Sequence, residues 1–143
     1  MNSFSVTNQE LITIIDELLN QHKDVKFKVV GTSMLPFFKH LETSVTLRKK
    51  EDYFVNDVIL FKYHDEYRLH RIRKIKGKQV VVIGDNLLSK EDIQKEDILG
   101  SVVSYSKGMK EVLVQSLIYR IKVFIWLLVK PFGVRIMRRC RHE

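Results

Sequence analysis

The chain predicts a mainly β fold, a rolled, barrel-like sheet set between an N-terminal helix and a basic, amphipathic C-terminal helix. Three observations lead there. From Val25 onward, short runs rich in β-branched and aromatic residues alternate polar with apolar positions, the period of strands with one buried face. Polar or glycine-bearing turns divide these runs after a few residues, so sequence neighbours can pair directly, which favours a rolled sheet over a parallel one. Helical periodicity is confined to the two ends of the chain. With 143 residues, 45% hydrophobic and 29% charged, the sequence can bury a core of its own and is not disordered.

Taken in order, Thr7-Asn8-Gln9-Glu10 has the spacing of a capping box, and Leu11, Ile14, Ile15, Leu18 and Leu19 follow at helical intervals. A helix is predicted over 8–22. A strand follows it, so no second, recognition helix is present and a helix-turn-helix DNA reader is excluded. Strands are predicted near 25–31, 44–49, 57–63, 67–76, 79–84 and 98–106, with a further one at 111–114. His64-Asp65-Glu66 and Lys76-Gly77-Lys78 join consecutive strands, and Gly84-Asp85-Asn86 ends the Val80-Val81-Val82-Ile83 run. Residues 1–106 thus form one domain and 107–143 a distinct tail.

The tail holds the charge. Residues 1–106 carry 16 Lys/Arg against 15 Asp/Glu, whereas residues 107–143 carry 9 against 2, so most of the overall +8 lies at one end. Leu117, Ile118, Ile121, Phe124, Ile125, Leu128 and Val129 fall on one sector of a helical wheel, with Arg120, Lys122 and Lys130 outside it. Pro131 and Gly133 are expected to interrupt that helix before Arg135, Arg138, Arg139 and Arg141. The expected partner of 117–141 is an anionic membrane surface, with Trp126 at the boundary. A spanning helix is disfavoured, because Arg120 and Lys122 would lie near mid-bilayer at about 2.5 to 3.5 kcal/mol each. The other reading is that the apolar sector packs on the body of the protein. Met1 to Asn8 has neither the basic start nor the apolar run of a signal peptide, and the lone Cys140 permits no internal disulfide.

The stretch with chemical promise is Gly31-Thr32-Ser33-Met34-Leu35-Pro36, where the first strand runs into a turn that presents a serine. Gly31 and Thr32 before it, and Met34 and Pro36 after it, would fix the hydroxyl and meet a substrate. A serine needs a base to take its proton. Of the five histidines, His22, His40, His64 and His142 fall in helix, polar segment, loop and tail, and only His70 lies within a strand. Alternation groups His70 with Arg68 and Ile72, opposite Leu69 and Arg71, which predicts a half-buried imidazole lining a cleft. Asp85, on the turn leaving the next strand, is the expected carboxylate partner of that ring, and Glu91 and Asp92 follow it.

Gly31-Thr32-Ser33-Met34-Leu35-Pro36, Asn56-Asp57-Val58-Ile59-Leu60-Phe61, Leu69-His70-Arg71-Ile72, Ile83-Gly84-Asp85-Asn86 and Ile98-Leu99-Gly100-Ser101-Val102-Val103, in that order, resemble the catalytic core of signal peptidase I and the autocleaving repressors. The resemblance spans roughly residues 25–106. It implies a β-rich, signal-peptidase-type serine endopeptidase with Ser33 as nucleophile. One subtype uses lysine as base and the other a histidine in a His-Arg pair, and this chain is similar to the second. His70 would be the base and Asp85 its supporting carboxylate. The second acid of the histidine type falls on Glu91 or Asp92. Gly31 stands where signal peptidases usually have a serine, a form closer to the repressors, and the tail would replace their N-terminal membrane anchor.

The function expected is cleavage of a leader or signal segment, bound as an extended strand beside 25–31, without metal or cofactor. Membrane association is expected through the tail, peripheral or single-span, with the cytoplasmic side favoured. A non-catalytic peptide-binding module on the same fold is the alternative. A nucleic-acid binder working through the basic tail is disfavoured by the tail's large apolar sector.

Overall fold

A computed structural model describes residues 9–141. Thr7 and Asn8 of the expected capping box, and His142, lie outside the described residues. Helix α1, Gln9–Asn20, buries Ile12, Ile15 and Leu19 and leaves Leu11 and Ile14 exposed. It stops two residues earlier than expected, because His22 adopts a left-handed φ of 58°. The Lys23 N–H then reaches the Leu18 carbonyl and the His22 N–H the Leu19 carbonyl, the paired bonds of a Schellman cap.

Eight strands follow: β1 Val25–Lys28, β2 Thr43–Arg48, β3 Val58–Tyr63, β4 Glu66–Lys76, β5 Gln79–Ile83, β6 Lys90–Gln94, β7 Ile98–Lys107 and β8 Lys110–Leu113. They make one antiparallel sheet in the order β1-β2-β7-β3-β4-β5-β6, curled into a half-barrel, with β8 on β7. β7 is the seam. Its first residues pair β3, its later ones β8, and β2 runs along the other edge. β6 was not expected: its charged sequence KEDIQ carries a single apolar residue, yet Glu91 and Ile93 point inward and its three other residues outward.

Alternation in β3 divides the interior in two. Val58 and Leu60 join one cluster with α1, β2, Met34, Phe38 and Val102, while Ile59 and Phe61 join another with Ile72, Val80, Val82, Ile93 and Ile98. Both faces of β4 are covered, so His70 and Arg71 are buried at 2% and 1% exposure. The half-buried imidazole expected from the mixed face of β4 is therefore corrected.

Helix α2, Leu117–Arg141, runs unbroken through Pro131 and Gly133, against the interruption expected there. A Cβ on Gly133 would lie 2.5 Å from ring carbons of Trp126, so the glycine gives the indole its seat. The helix packs through Tyr119, Val123, Trp126, Lys130 and Val134, a stripe at helical spacing. The apolar sector picked out by the sequence faces away, with Leu117, Ile118, Phe124 and Leu128 all more than 60% exposed. The apolar sector does not pack on the body. Trp126 is also not at an outer boundary: its indole N–H donates to the Asp85 carbonyl at 2.9 Å. None of the described helices is long and apolar enough to cross a membrane.

Candidate active site

The serine turn is built by its neighbours. After β1, the Val29 N–H reaches the Thr43 carbonyl and the Leu41 N–H the Val29 carbonyl, closing the 29–43 segment into a compact loop. Gly31 has φ 101°, a left-handed conformation that side chains resist, and its N–H donates to His40 Nδ1 at 2.7 Å. Met34, Phe37 and Phe38 are buried in the first cluster and anchor the far side of the turn.

The same turn rests on the segment leaving β5. Asn86 N–H donates to the Ser33 carbonyl at 2.8 Å, Asn86 Nδ2 to the Thr32 carbonyl at 3.1 Å, and Asp85 N–H to Met34 Sδ at 3.5 Å. A Cβ on Gly84 would lie 2.8 Å from the Ser33 carbonyl oxygen, so only glycine allows the two backbones to meet this closely. Ser33 Oγ is buried and, among the described residues, has no hydrogen-bond partner. Such orphaned hydroxyls are uncommon in folded proteins, and Ser101 Oγ shares the condition.

His70 lies next to this junction. Arg71 pairs with Ile83 across β4 and β5, one residue before the Gly84 that meets the Ser33 carbonyl. The serine turn and His70 thus both lie near the Ile83–Gly84 end of β5. On the His70 face, Val82 pairs with Glu91 of β6, whose carboxylate reaches the ring: Nδ1 and Glu91 Oε2 are 2.9 Å apart. Arg68 holds the other oxygen of Glu91 at 2.8 Å, and Phe61 packs its ring 5.7 Å from the imidazole. Burial pushes the Glu91 carboxyl up, but the hydrogen bonds and charge of His70 and Arg68 outweigh it and hold the group below the ordinary carboxylate range. With Glu91 ionised, Nδ1 is the protonated nitrogen and the lone pair of a neutral ring lies on Nε2, where a proton can be accepted.

Asp85 does something else. The expected Asp85–His70 pairing is not formed, because the carboxylate makes a two-pronged ion pair with Arg71, Nε to Oδ1 at 2.8 Å and Nη2 to Oδ2 at 2.7 Å. Parity explains the difference: residues 70 and 71 point to opposite faces of β4, and Asp85 lies on the Arg71 side. Arg71 also donates to the Asn56 carbonyl and the Tyr119 hydroxyl, and lies over the rings of Phe37 and Tyr119. Burial works against its charge, yet Asp85 and Tyr119 raise the guanidinium above its usual value. Lys130 Nζ donates to the Gly84 carbonyl at 2.9 Å, and burial pushes its ammonium down to about 8.

His70 and Glu91 therefore pair on one face of β4, near the end of β5 that carries the serine turn, while Asp85 pairs with Arg71 on the other face. Asp92 is exposed on the outer side of β6, away from the ring. Thr32, Met34 and Gly31 contribute backbone and packing to the serine turn, and Pro36 is exposed after it in a cis bond. Sequence reasoning passed over Arg68, Asn86, Tyr119 and Lys130. Of these Asn86 carried a signal, its place in the Gly84-Asp85-Asn86 turn, and its Oδ1 is also buried without a partner among the described residues. Among the described residues no group of three or more His, Cys, Asp or Glu side chains is placed to hold a metal ion. A cleft of about 660 Å³ lies elsewhere, between the 50–58 loop and the first half of α2.

No curated protein matches the chain. The family model for peptidase S24-like proteins matches residues 2–103, which takes in the serine turn, His70, Asp85 and Glu91. The chain belongs to the peptidase S24-like family.

Proposed function

We propose that the protein is a serine endopeptidase in which Ser33 is the nucleophile, His70 the general base and Glu91 the group that orients His70. The observation that carries this reading is the His70–Glu91 pair, 2.9 Å apart on a buried face, near the end of β5 whose Gly84 meets the Ser33 carbonyl. In the first step Ser33 Oγ bonds to the scissile carbonyl carbon while its proton passes to His70 Nε2. The C–N bond then breaks, His70 returns the proton to the leaving amine, and an acyl-enzyme remains. Water, activated by the same imidazole, releases the acid and restores Ser33. Glu91 stays ionised throughout and stabilises the imidazolium of each transition state.

The substrate is an extended peptide, the leader or signal segment of a longer chain. β1 ends the strand order, so its outer edge pairs with no strand among the described residues and supports docking by strand addition next to the serine turn. Incubating wild type, Ser33→Ala, His70→Ala and Glu91→Gln with a peptide library, read by mass spectrometry, tests the assignment. Cleavage should vanish in the first two variants and fall sharply in the third. Cleavage that persists in Ser33→Ala would end the proposal.

A non-catalytic peptide-docking role draws on one observation, that the Ser33 hydroxyl has no hydrogen bond to His70. It forecasts peptide binding without cleavage in the same library, with Ser33→Ala binding as wild type does.

A further inference from the structure

The outward face of α2 has no work inside the fold. The helix is held to the body by the stripe from Tyr119 to Val134, yet the opposite side shows Leu117 at 70% exposure, Phe124 at 64%, Leu128 at 66% and Phe132 at 69%. The face is continued by a second element. Phe54 and Val55, 64% and 49% exposed at the tip of the loop between β2 and β3, line one cleft together with Leu117 and Phe124. Apolar side chains from two separate segments thus form one patch, larger than the scattered apolar residues normal on a surface.

The charges around the patch say what covers it. α2 contains no acidic residue. At about 100° per residue, Arg120 flanks the apolar sector on one side and Lys122 on the other, while Arg135 and Arg139 extend it toward the C-terminal end. All four are exposed. A second copy of the chain would set these like charges against each other in a two-fold interface. Nucleic acid would use the cations but gain nothing from bared Phe124, Leu128 and Phe132. An anionic bilayer satisfies both halves, with the apolar side chains entering the boundary of the acyl chains and the basic ones reaching lipid headgroups.

We propose that α2 and the 54–55 loop tip dock flat on an anionic lipid bilayer. This does not rest on the peptidase reading. It has a positional consequence, because the buried side of the same helix is bonded to the Gly84 and Asp85 carbonyls and to Arg71. Docking holds the segment under Ser33 within about one helix diameter, roughly 10 Å, of the lipid surface.

The test is co-sedimentation of the full chain with vesicles of phosphatidylcholine alone or mixed with phosphatidylglycerol. Wild type should bind the mixed vesicles, more weakly as salt rises, and bind pure phosphatidylcholine poorly. Phe124→Glu with Leu128→Glu should reduce binding roughly tenfold or more, and Phe54→Glu, on a different element, should also reduce it. Arg120→Gln and Lys122→Gln should each cost roughly fivefold. The altered side chains are exposed, so circular dichroism and melting should not change, and a misfolded variant would be seen there. Absence of binding to the mixed vesicles, or binding indifferent to the glutamates, overturns the proposal. So does a lipid-free dimer that the same glutamates dissociate, or binding to a short DNA duplex by a chain that ignores vesicles.

Discussion

Replacing Asp85 by alanine separates a structural carboxylate from a chemical one. Arg71 and Asp85 are each about 1% exposed, and two short bonds join them. Removing the acid leaves a buried guanidinium without its counter-charge, a change that costs about 3 to 5 kcal/mol in comparable sites. The lower end applies here, because Arg71 keeps the Asn56 carbonyl, the Tyr119 hydroxyl and two aromatic faces. With a urea slope of about 2 kcal/mol per molar, a loss of about 3 kcal/mol moves the denaturation midpoint down by about 1.5 M. Arg71→Met combined with Asp85→Leu should recover most of that loss, since a well-packed apolar pair replaces an ion pair at little net cost. Peptide cleavage by folded Asp85→Ala should stay within about tenfold of wild type, because its carboxylate does not touch His70. A midpoint shift below about 0.3 M, or a cleavage loss as large as that of Glu91→Gln at full folding, would refute the division of labour between the two acids.

Four further outcomes follow from the same geometry. Glu91→Gln should lower kcat by about three orders of magnitude with little change in KM, read by steady-state kinetics, because the amide no longer fixes the tautomer or balances the imidazolium. Folding lowers the Glu91 carboxyl, so its contribution to stability is present above the unfolded value of 4.5 and is lost as pH falls through the lower folded one. Melting curves of wild type and Glu91→Gln should therefore converge in strong acid. Gly84→Ala should cut cleavage at least roughly tenfold with a smaller effect on melting, since the new Cβ meets the Ser33 carbonyl at 2.8 Å and displaces Ser33 by a few tenths of an ångström. Folding lowers Lys130 from 10.5 to about 8, so the unfolded chain binds the extra proton between those values and stability should rise with pH across that window. Lys130→Met should flatten the rise, as measured by urea midpoints between pH 7.5 and about 10.

Local signals served where a residue's role depends on its own neighbourhood. Alternation and turn residues place seven of the strands near their observed positions, and the Gly31 to Pro36 turn is legible because its left-handed glycine and apolar anchors are adjacent in sequence. What fails is parity between distant strands. The sequence favours Asp85 as the partner of His70, with Glu91 or Asp92 behind it, until the pairing of Val82 with Glu91 is known, because one residue of register exchanges the faces. β6 escaped notice for a related reason: its two inward residues are an acid and an isoleucine, and the acid is inward only because a histidine and an arginine await it there. The tail shows a third kind of failure. Hydropathy selects the richest apolar sector, whereas the face that packs contains a lysine, a tyrosine and a tryptophan whose polar atoms bond to the sheet. Only those partners make that face the better one to bury.

The adjacent pair His70-Arg71 explains why the site tolerates so much buried charge. Successive residues of β4 face opposite ways, so the imidazole and the guanidinium are separated by the strand itself. Each finds a carboxylate on its own side, Glu91 for one and Asp85 for the other. Arg68 already shares the His70 face and binds Glu91, so a second guanidinium there would further oppose an imidazolium at His70. Placing His70 and Arg71 back to back leaves Glu91 to His70 and Arg68 while Arg71 and Asp85 bond beneath the serine turn. Moving the Asp85 carboxylate to the His70 side would serve neither purpose, because it would leave Arg71 buried without its counter-charge and give the imidazole an acid it already has. The order His-Arg, rather than the presence of two basic residues, is therefore what the strand needs at this point.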